Sequence, residues 1–172
     1  MMYRRILENR DYKYYLEQIN EVEKDRIYCR HGLDHYLAVA KISMLLAREC
    51  EIDVDEDIVY GAALLHDLGR YDIEAKNHED VSCQLAEKIL PDCGYEPVKI
   101  RVIVDLINSH RGRYFISEIQ HLRKTKQLDL NACFRIADQI SRKCFECQAV
   151  DTCKWKEEEK IKFEIVKLQG ET

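Results

Sequence analysis

The fold is decided by residues 55–69, which read DEDIVYGAALLHDLG. Asp55 is of a residue type that often caps the N terminus of a helix. The apolar residues that follow recur at steps of three and four, as one face of a helix requires: Ile58, Val59, Ala62 and Leu65. Gly69 readily takes the left-handed conformation that ends many helices. The stretch therefore predicts a helix that ends close to an ionisable pair, His66 and Asp67.

The same helical period extends over most of the chain, and only 6 Gly and 2 Pro interrupt it. It predicts amphipathic helices within 3–23 and further helices over 31–49, 81–89, 97–107, 117–120 and 129–140. Residues 154–160 are a charge run that we expect to be solvated, after which Ile161, Phe163 and Ile165 alternate as in a strand. The pattern as a whole predicts an all-α fold.

Length and composition limit the domain organisation. A chain of 172 residues with 46% apolar and 34% charged residues is long enough for one domain and short for two. No repeat, low-complexity tract or shift in composition marks a linker. We therefore expect a single domain over 1–172, with an N-terminal helical extension at 1–25 and a C-terminal tail at 154–172.

Charge and hydropathy argue against several classes of protein. The net charge of −5 disfavours an extended nucleic-acid surface. No segment approaches the roughly 20 apolar residues that a membrane-spanning helix needs. The charged residues that follow Met1 and Met2 do not resemble a signal peptide. We therefore expect a cytoplasmic protein that does not enter a membrane and whose 8 cysteines are reduced.

The pair of His66 and Asp67 is the first candidate for a functional site, because an ionisable pair beside an apolar helix is costly to bury. Such a pair is either satisfied by protein partners or bound to a metal ion. Other potential ligands stand at helix ends or on apolar faces, where side chains from different helices can converge: His35, His78, His110 and Asp138. Four imidazoles and two carboxylates form a donor set that suits iron, manganese, zinc or nickel.

The order of these residues resembles that of a known family. His35, the His66-Asp67 pair and Asp138 match the H…HD…D signature of the HD superfamily of metal-dependent phosphohydrolases, and the likeness covers about residues 29–147. The resemblance implies a single-domain, HD-type orthogonal helical bundle with its core over that range.

Two further histidines extend the resemblance. His78 and His110 resemble the additional ligands of the subset that holds two metal ions, as in bacterial diadenosine polyphosphate hydrolases and cyclic-dinucleotide phosphodiesterases. Two features depart from particular members of the superfamily. Arg70 stands where some deoxynucleotide monophosphatases have Glu, and Arg111 follows His110 where the cyclic-di-GMP enzymes have a Gly-Tyr-Pro motif.

The resemblance also implies a cofactor, a substrate class and a reaction. The cofactor would be two divalent transition metal ions, and the substrate a nucleotide or another small phosphoester. The implied ligands are His35, His66, Asp67 and Asp138 for the first ion, and the bridging Asp67 with His78 and His110 for the second. Two ions roughly 3.5–4 Å apart lower the pKa of a shared water, and the metal-bound hydroxide attacks phosphorus in line.

Three residues are the candidates for a catalytic role in such a phosphomonoesterase or phosphodiesterase. Asp67 would hold both ions, while Arg70 and Arg111 would stabilise negative charge on the phosphoryl group. A homodimer is compatible with the resemblance. Two other functions stay open: a non-catalytic module that binds a nucleotide or transmits a signal, and a metal-free helical scaffold in which His66 and Asp67 would point apart.

Neighbours of the implied ligands could support them. His31 shares a helix face with His35, and it is either a supporting residue or, as we expect, a residue at the start of a helix with no catalytic role. Glu79 follows His78 and is a candidate to orient a ligand imidazole.

The cysteines form a second pattern, since Cys144 and Cys147 make a CxxC motif and Cys153 follows six residues later. We expect three reduced thiols that pack as small apolar side chains. The alternative is a structural zinc or iron–sulfur site, for which Cys29 or Cys133 would supply the fourth ligand.

Overall fold

Helices follow one another along residues 1–162, which are the part of the chain that the structure, a computed structural model, describes. The described residues contain eight α-helices and no strand, so the predicted all-α fold is confirmed. The helices are α1 (Tyr3–Glu8), α2 (Arg10–Val22), α3 (Leu33–Glu49), α4 (Glu56–Leu65), α5 (His78–Asp92), α6 (Pro97–Ser109), α7 (Ile116–Thr125) and α8 (Leu130–Ile140). Short 3-10 helices lie at Leu68–Tyr71, Cys144–Glu146, Val150–Thr152 and Glu157–Glu159.

Helix α4 lies at the centre of the packing, because its apolar face is wide enough to meet neighbours on several sides. It contacts α3, α6 and α1, while α3 also packs along α8, and α5 packs on α6. Ala62, Leu64 and Leu65 are fully buried in this arrangement. Among the described helices, none is long and apolar enough to span a membrane.

The N-terminal helices are part of the core. Ile6 of α1 and Tyr12 and Ile19 of α2 are buried, and α2 packs on the 3-10 helix that follows α4. The prediction of amphipathic helices in this region is therefore confirmed, and their apolar faces cover the segment that carries the His-Asp pair.

Helix caps explain where several elements begin. The side chains of Asp55 and Asp129 accept hydrogen bonds from backbone amides in the first turns of α4 and α8, which confirms the predicted cap at Asp55. Helix α7 begins earlier than expected and is longer. Phe115 is its N-terminal cap, and the carboxylate of Glu118 accepts a hydrogen bond of 2.6 Å from the amide of Phe115.

Gly69 does not end α4 through a left-handed turn, as its sequence position suggested. Helix α4 ends at Leu65, and Gly69 lies within the following 3-10 helix. A Cβ atom at Gly69 would stand 2.2 Å from the carbonyl oxygen of His78 and 2.8 Å from the backbone nitrogen of Ser82. Glycine is therefore needed because the backbone of α5 approaches this closely.

The segment after α8 turns back over the bundle. The ring of Trp155 lies between two guanidinium groups, with its centroid 4.1 Å from Cζ of Arg113 and 4.0 Å from Cζ of Arg142. Charged residues on either side of Trp155 are largely exposed, as expected for the charge run. Ile161 is buried but is not part of a strand, and the rest of the predicted strand lies outside the described residues.

Candidate metal centre

The ends and inner faces of five helices bring the six implied ligands together. They form two groups whose ligand atoms lie within 4.8 Å of one another: His35, His66, Asp67 and Asp138 in the first group, and Asp67, His78 and His110 in the second. His35 comes from α3, the His-Asp pair follows α4, His78 opens α5, His110 follows α6 and Asp138 lies on α8. His66 and Asp67 do not point apart, as they would in a metal-free scaffold.

Asp67 belongs to both groups, and each of its two oxygens faces a different one. Its Oδ2 atom lies 3.7 Å from Nε2 of His35 and 3.5 Å from Nε2 of His66. Its Oδ1 atom lies 3.0 Å from Nε2 of His78 and 3.6 Å from Nε2 of His110. The carboxylate is therefore placed between two sets of imidazoles, as a ligand that bridges two ions must be.

Asp138 completes the first group. Its Oδ1 atom lies 3.3 Å from Nε2 of His35 and 3.7 Å from Nε2 of His66. The first group thus offers two imidazole nitrogens and two carboxylate oxygens from three separate parts of the chain.

Backbone carbonyls fix which nitrogen of two imidazoles carries the proton. Nδ1 of His66 lies 2.8 Å from the carbonyl oxygen of Ala63, and Nδ1 of His110 lies 2.5 Å from that of Ile107. Because a carbonyl oxygen can only accept a hydrogen bond, both Nδ1 atoms are donors. In the neutral rings, Nε2 then presents a lone pair to the centre of the site.

The other two imidazoles are oriented by side chains. Ser141 donates its hydroxyl proton to the carbonyl oxygen of Asp138, at 2.7 Å, so its oxygen accepts from Nδ1 of His35 at 3.1 Å. Nδ1 of His78 lies 3.4 Å from a carboxylate oxygen of Glu79. All four Nε2 atoms therefore face the site while their Nδ1 atoms contact supporting groups, as is usual for metal-bound histidines.

This arrangement fits metal ions. The Nε2 atoms of His35 and His66 are 3.3 Å apart, and two lone pairs at that distance repel unless a cation or a proton lies between them. Asp67 Oδ1 and His78 Nε2 are buried and, among the described residues, have no properly oriented hydrogen-bond partner. One metal ion in each group would satisfy these atoms, the first at His35 and His66 and the second at Asp67 Oδ1 and His78.

Without metal, the charges in the site are balanced by protonation. Burial lowers the pKa of His35, but hydrogen bonds to Asp138 and Asp67 outweigh burial and raise it to about 9. Burial alone would raise the pKa of Asp67, yet His66, Arg70 and the other imidazoles hold it well below its usual range. The metal-free site therefore holds a proton on His35 at neutral pH, and a metal ion has to displace it.

We expect an NMR titration of the metal-free protein to show His35 losing its proton near pH 9, and zinc added at pH 7.5 to shift the ring to its neutral form. Because this pKa is raised on folding, the stability that the proton contributes is complete below about pH 6.5 and is lost as the pH rises through about 9. Asp138→Asn should move the midpoint down by removing one partner. A midpoint near 6.5 in the unmodified protein would contradict this account.

His31 lies closer to the site than the sequence indicated. Its side chain is buried, Nδ1 lies 2.7 Å from a carboxylate oxygen of Glu23, and Nε2 lies 3.7 Å from Oδ2 of Asp67. The expectation of a residue with no role at the site is not supported by this placement. The four-residue spacing from His35 was the available signal, whereas Glu23 is joined to His31 across a loop that no local pattern marks.

The two candidate arginines lie in different surroundings. Nε of Arg70 is 2.8 Å from Oδ1 of Asp67, inside the site. Nε of Arg111 is 2.5 Å from Oε1 of the buried Glu79, and the rest of the side chain is mostly exposed. Arg111 is thus held next to the carboxylate that contacts His78.

A cavity of about 700 Å³ opens onto the centre. His31, His35, Arg70 and Asp138 lie in its wall, and the segment after α8 forms another part of it. Within the described chain, eight Arg or Lys residues line the cavity against two Asp. The size is in the range of roughly 300–1,000 Å³ that is usual for small-molecule sites, and the charge favours an anionic ligand.

The helical bundle thus encloses a His/Asp centre that could hold metal ions, beside a cavity whose basic lining suits an anionic ligand. The HD domain family matches residues 32–143, and the chain therefore belongs to that family, whose members are generally metal-dependent phosphohydrolases.

Three curated proteins are similar to this chain, over different shares of its length. An uncharacterised protein of Clostridium beijerinckii is 32% identical over 158 residues, which are 90% of this chain and 92% of the relative. Ribonuclease Y of Mycoplasma mycoides subsp. mycoides is 32% identical over 116 residues, and that of Mycoplasma capricolum subsp. capricolum is 31% identical over 116 residues. These residues are 66% of this chain but only 19% of each ribonuclease. No solved structure matches the chain.

Proposed function

We propose that the protein is a dinuclear metal-dependent phosphohydrolase that acts on a nucleotide or another small phosphoester. The observation that carries the proposal is the position of Asp67, whose two oxygens face two separate sets of imidazoles. The first ion would be held by His35, His66, Asp67 and Asp138, and the second by Asp67, His78 and His110. Iron, manganese, zinc or nickel suits these nitrogen and oxygen donors.

The bound ions would activate a water molecule and polarise the phosphoryl group. The protein's own part is to orient the ligands and to receive the negative charge of the substrate. Glu79 contacts Nδ1 of His78, and Ser141 contacts Nδ1 of His35, so each orients the imidazole ring from the side opposite Nε2. Such supporting contacts typically contribute about 10- to 100-fold to metal affinity or activity.

Arg70 would contact the phosphoryl group. Its Nε atom pairs with Asp67, and the side chain also lines the cavity. A guanidinium in this position can stabilise the charge that develops on phosphoryl oxygens. Arg111 contacts Glu79, so we assign it a positioning role; within the described chain it is Arg113, two residues later, that lines the cavity.

The basic lining supports a substrate with more than one charged or polar part. The cavity is large enough for a nucleotide, and its Arg and Lys residues extend well beyond the metal centre. Ribonuclease Y, by its name, acts on RNA, so the chemistry proposed here includes diesters as well as monoesters. A suitable panel contains nucleoside monophosphates, dinucleoside polyphosphates, cyclic dinucleotides and short oligoribonucleotides.

The decisive test combines metal analysis with that panel. We expect about two transition metal ions per chain at the His/Asp centre and hydrolysis of at least one compound. Replacing both His78 and His110 with alanine should leave one ion, and it should lower the rate by more than the roughly 10- to 100-fold that loss of a supporting residue costs. His121→Ala, on the exposed side of α7, is the matched control and should change neither value.

Two outcomes would contradict the proposal. Metal content that is unchanged in the double variant would show that these histidines do not bind an ion. Tight binding of a nucleotide that is never cleaved, with any of the four metals, would favour the non-catalytic binding module instead.

A further inference from the structure

Four of the cysteines come together at the cavity wall, away from the His/Asp centre. Cys29 lies in the loop between α2 and α3, and Cys144, Cys147 and Cys153 lie in the segment after α8. All four line the same cavity, are half-buried and are free thiols. The sequence left open whether Cys29 or Cys133 would join the other three. Cys133 is buried in α8, and Cys29 is the one beside them.

Specific contacts hold the two segments against each other. The hydroxyl of Tyr28 donates to the carbonyl oxygen of Thr152 at 3.1 Å, which joins the neighbours of Cys29 and Cys153. The two segments therefore meet next to Cys29 and Cys153, and all four cysteines line the cavity there.

The segment itself is shaped by consecutive tight turns that begin or end at its three cysteines. The amide of Cys147 donates to the carbonyl of Cys144, that of Val150 to Cys147, and that of Cys153 to Val150, at 3.2–3.3 Å. Turns of this kind around a CxxC motif present thiolates to a metal.

Apolar burial does not explain why the segment is folded. From residue 141 to residue 160 no side chain is buried, and the regular structure consists of 3-10 helices of three residues each. Segments with so little core generally need cross-links, such as a disulfide or a metal. The eight cysteines, all of which lie in the described residues, form no disulfide.

Positive charge surrounds the four thiols. Arg142 lines the same cavity as the four cysteines. Its Nη1 atom is buried and has no hydrogen-bond partner within the described chain. Four thiolates with a bound metal carry net negative charge, which this guanidinium would offset.

From these contacts we infer that Cys29, Cys144, Cys147 and Cys153 hold a second metal centre, with four thiolate ligands, in addition to the His/Asp site. The centre ties the segment after α8 to the loop before α3, and it therefore fixes one wall of the substrate cavity. Thiolate ligands select zinc or iron–sulfur clusters, unlike the nitrogen and oxygen donors of the His/Asp site.

The spacing of the described thiols disfavours a single zinc ion, because no three of them lie within 4.8 Å of one another. A single zinc ion with bonds of about 2.3 Å holds its sulfurs about 3.8 Å apart. Among the described residues, the ligand sets that lie within 4.8 Å are the two His/Asp groups, and no three thiols are that close. In a [4Fe–4S] cluster each cysteine binds a different iron, so the sulfur atoms stand farther apart.

The test is anaerobic purification of the full chain, followed by measurement of iron, zinc and acid-labile sulfide. We expect about four sulfides per chain, visible absorption from iron–sulfur charge transfer, and a paramagnetic signal after reduction. Cys29→Ser and Cys147→Ser should each lower the sulfide content several-fold. The matched control is Cys83→Ser on α5, whose thiol contacts the carbonyl of Val104 and which should keep the full content.

Acid-labile sulfide separates this inference from the proposed function, because the His/Asp site binds none. Asp67→Asn should lose metal at that site and keep the sulfide. A count of reactive thiols in the unmodified folded chain, before and after its iron is removed with a chelator, serves as a second measurement if a variant folds poorly, since four further thiols should become reactive. Zinc bound by the four cysteines would support the thiolate centre and overturn its assignment to a cluster. Equal metal and sulfide in all three serine variants would overturn the inference altogether.

Discussion

Replacing Asp67 with asparagine should remove most of the metal from the His/Asp centre and lower phosphoester hydrolysis by about 1,000-fold or more. Removal of one group that stabilises a transition state costs roughly 100- to 1,000-fold, and Asp67 is the ligand that both groups share. Asparagine keeps the shape of the side chain but has one oxygen and no charge. It can serve one group at most, and it leaves Arg70 without its carboxylate partner at 2.8 Å.

Metal analysis and steady-state rates on the same preparations measure this effect. Asp105→Asn is the matched control, since Asp105 is exposed on α6 and lies outside both ligand groups. Metal content in the Asp67 variant equal to that of the control would rule out the bridging role. Circular dichroism of both variants would show whether the helices are retained.

The second large effect is on stability and is expected from Gly69→Ala. A methyl group at this position would stand 2.2 Å from the carbonyl oxygen of His78, and the backbone of Ser82 is also too close. Because backbone atoms cannot swing away as a flexible side chain can, α5 would have to shift. Overpacking of this kind costs about 3 kcal/mol or more of the free energy of unfolding.

The shift would also move His78, which is the first residue of α5. Gly69→Ala should therefore lose the second ion as well as stability. Urea unfolding and metal analysis measure the two effects. Gly32→Ala is the matched control, because the nearest atom to a Cβ there is Oδ1 of Asn20 at an ordinary 3.7 Å. Equal unfolding midpoints for the two variants would show that α5 can shift without loss of stability.

The helices could be predicted because they depend on local pattern, whereas the six implied ligands came from the resemblance to the H…HD…D signature and its two additional histidines. Hydrophobic period and capping residues such as Asp55 and Asp129 mark where helices begin, and the ligands stand at helix ends or on inner faces. The need for glycine at position 69 could not be predicted in this way. It arises because the backbone of α5 comes close to Gly69, and not because of the backbone conformation of Gly69.

The contacts that support the histidines also could not be predicted from the sequence. Glu23 reaches His31 across a loop, and Ser141 reaches His35 from more than 100 residues away in the chain. Each pair joins residue types that are common on surfaces, so only their position in the fold gives them a role. The pairing of Cys29 with the later cysteines was left open for the same reason.

His66 and His110 stand directly after the last residues of α4 and α6, as their C-terminal caps. The aligned peptide dipoles of a helix place about half a negative charge at that end. The C-terminal ends of α4 and α6 both lie at the His/Asp centre. The negative electrostatic potential that they produce comes from the backbone, so no side-chain substitution abolishes it. It attracts cations to the place where the imidazoles and carboxylates converge. The backbone of α4 and α6 therefore adds to the preference of these side chains for a cation.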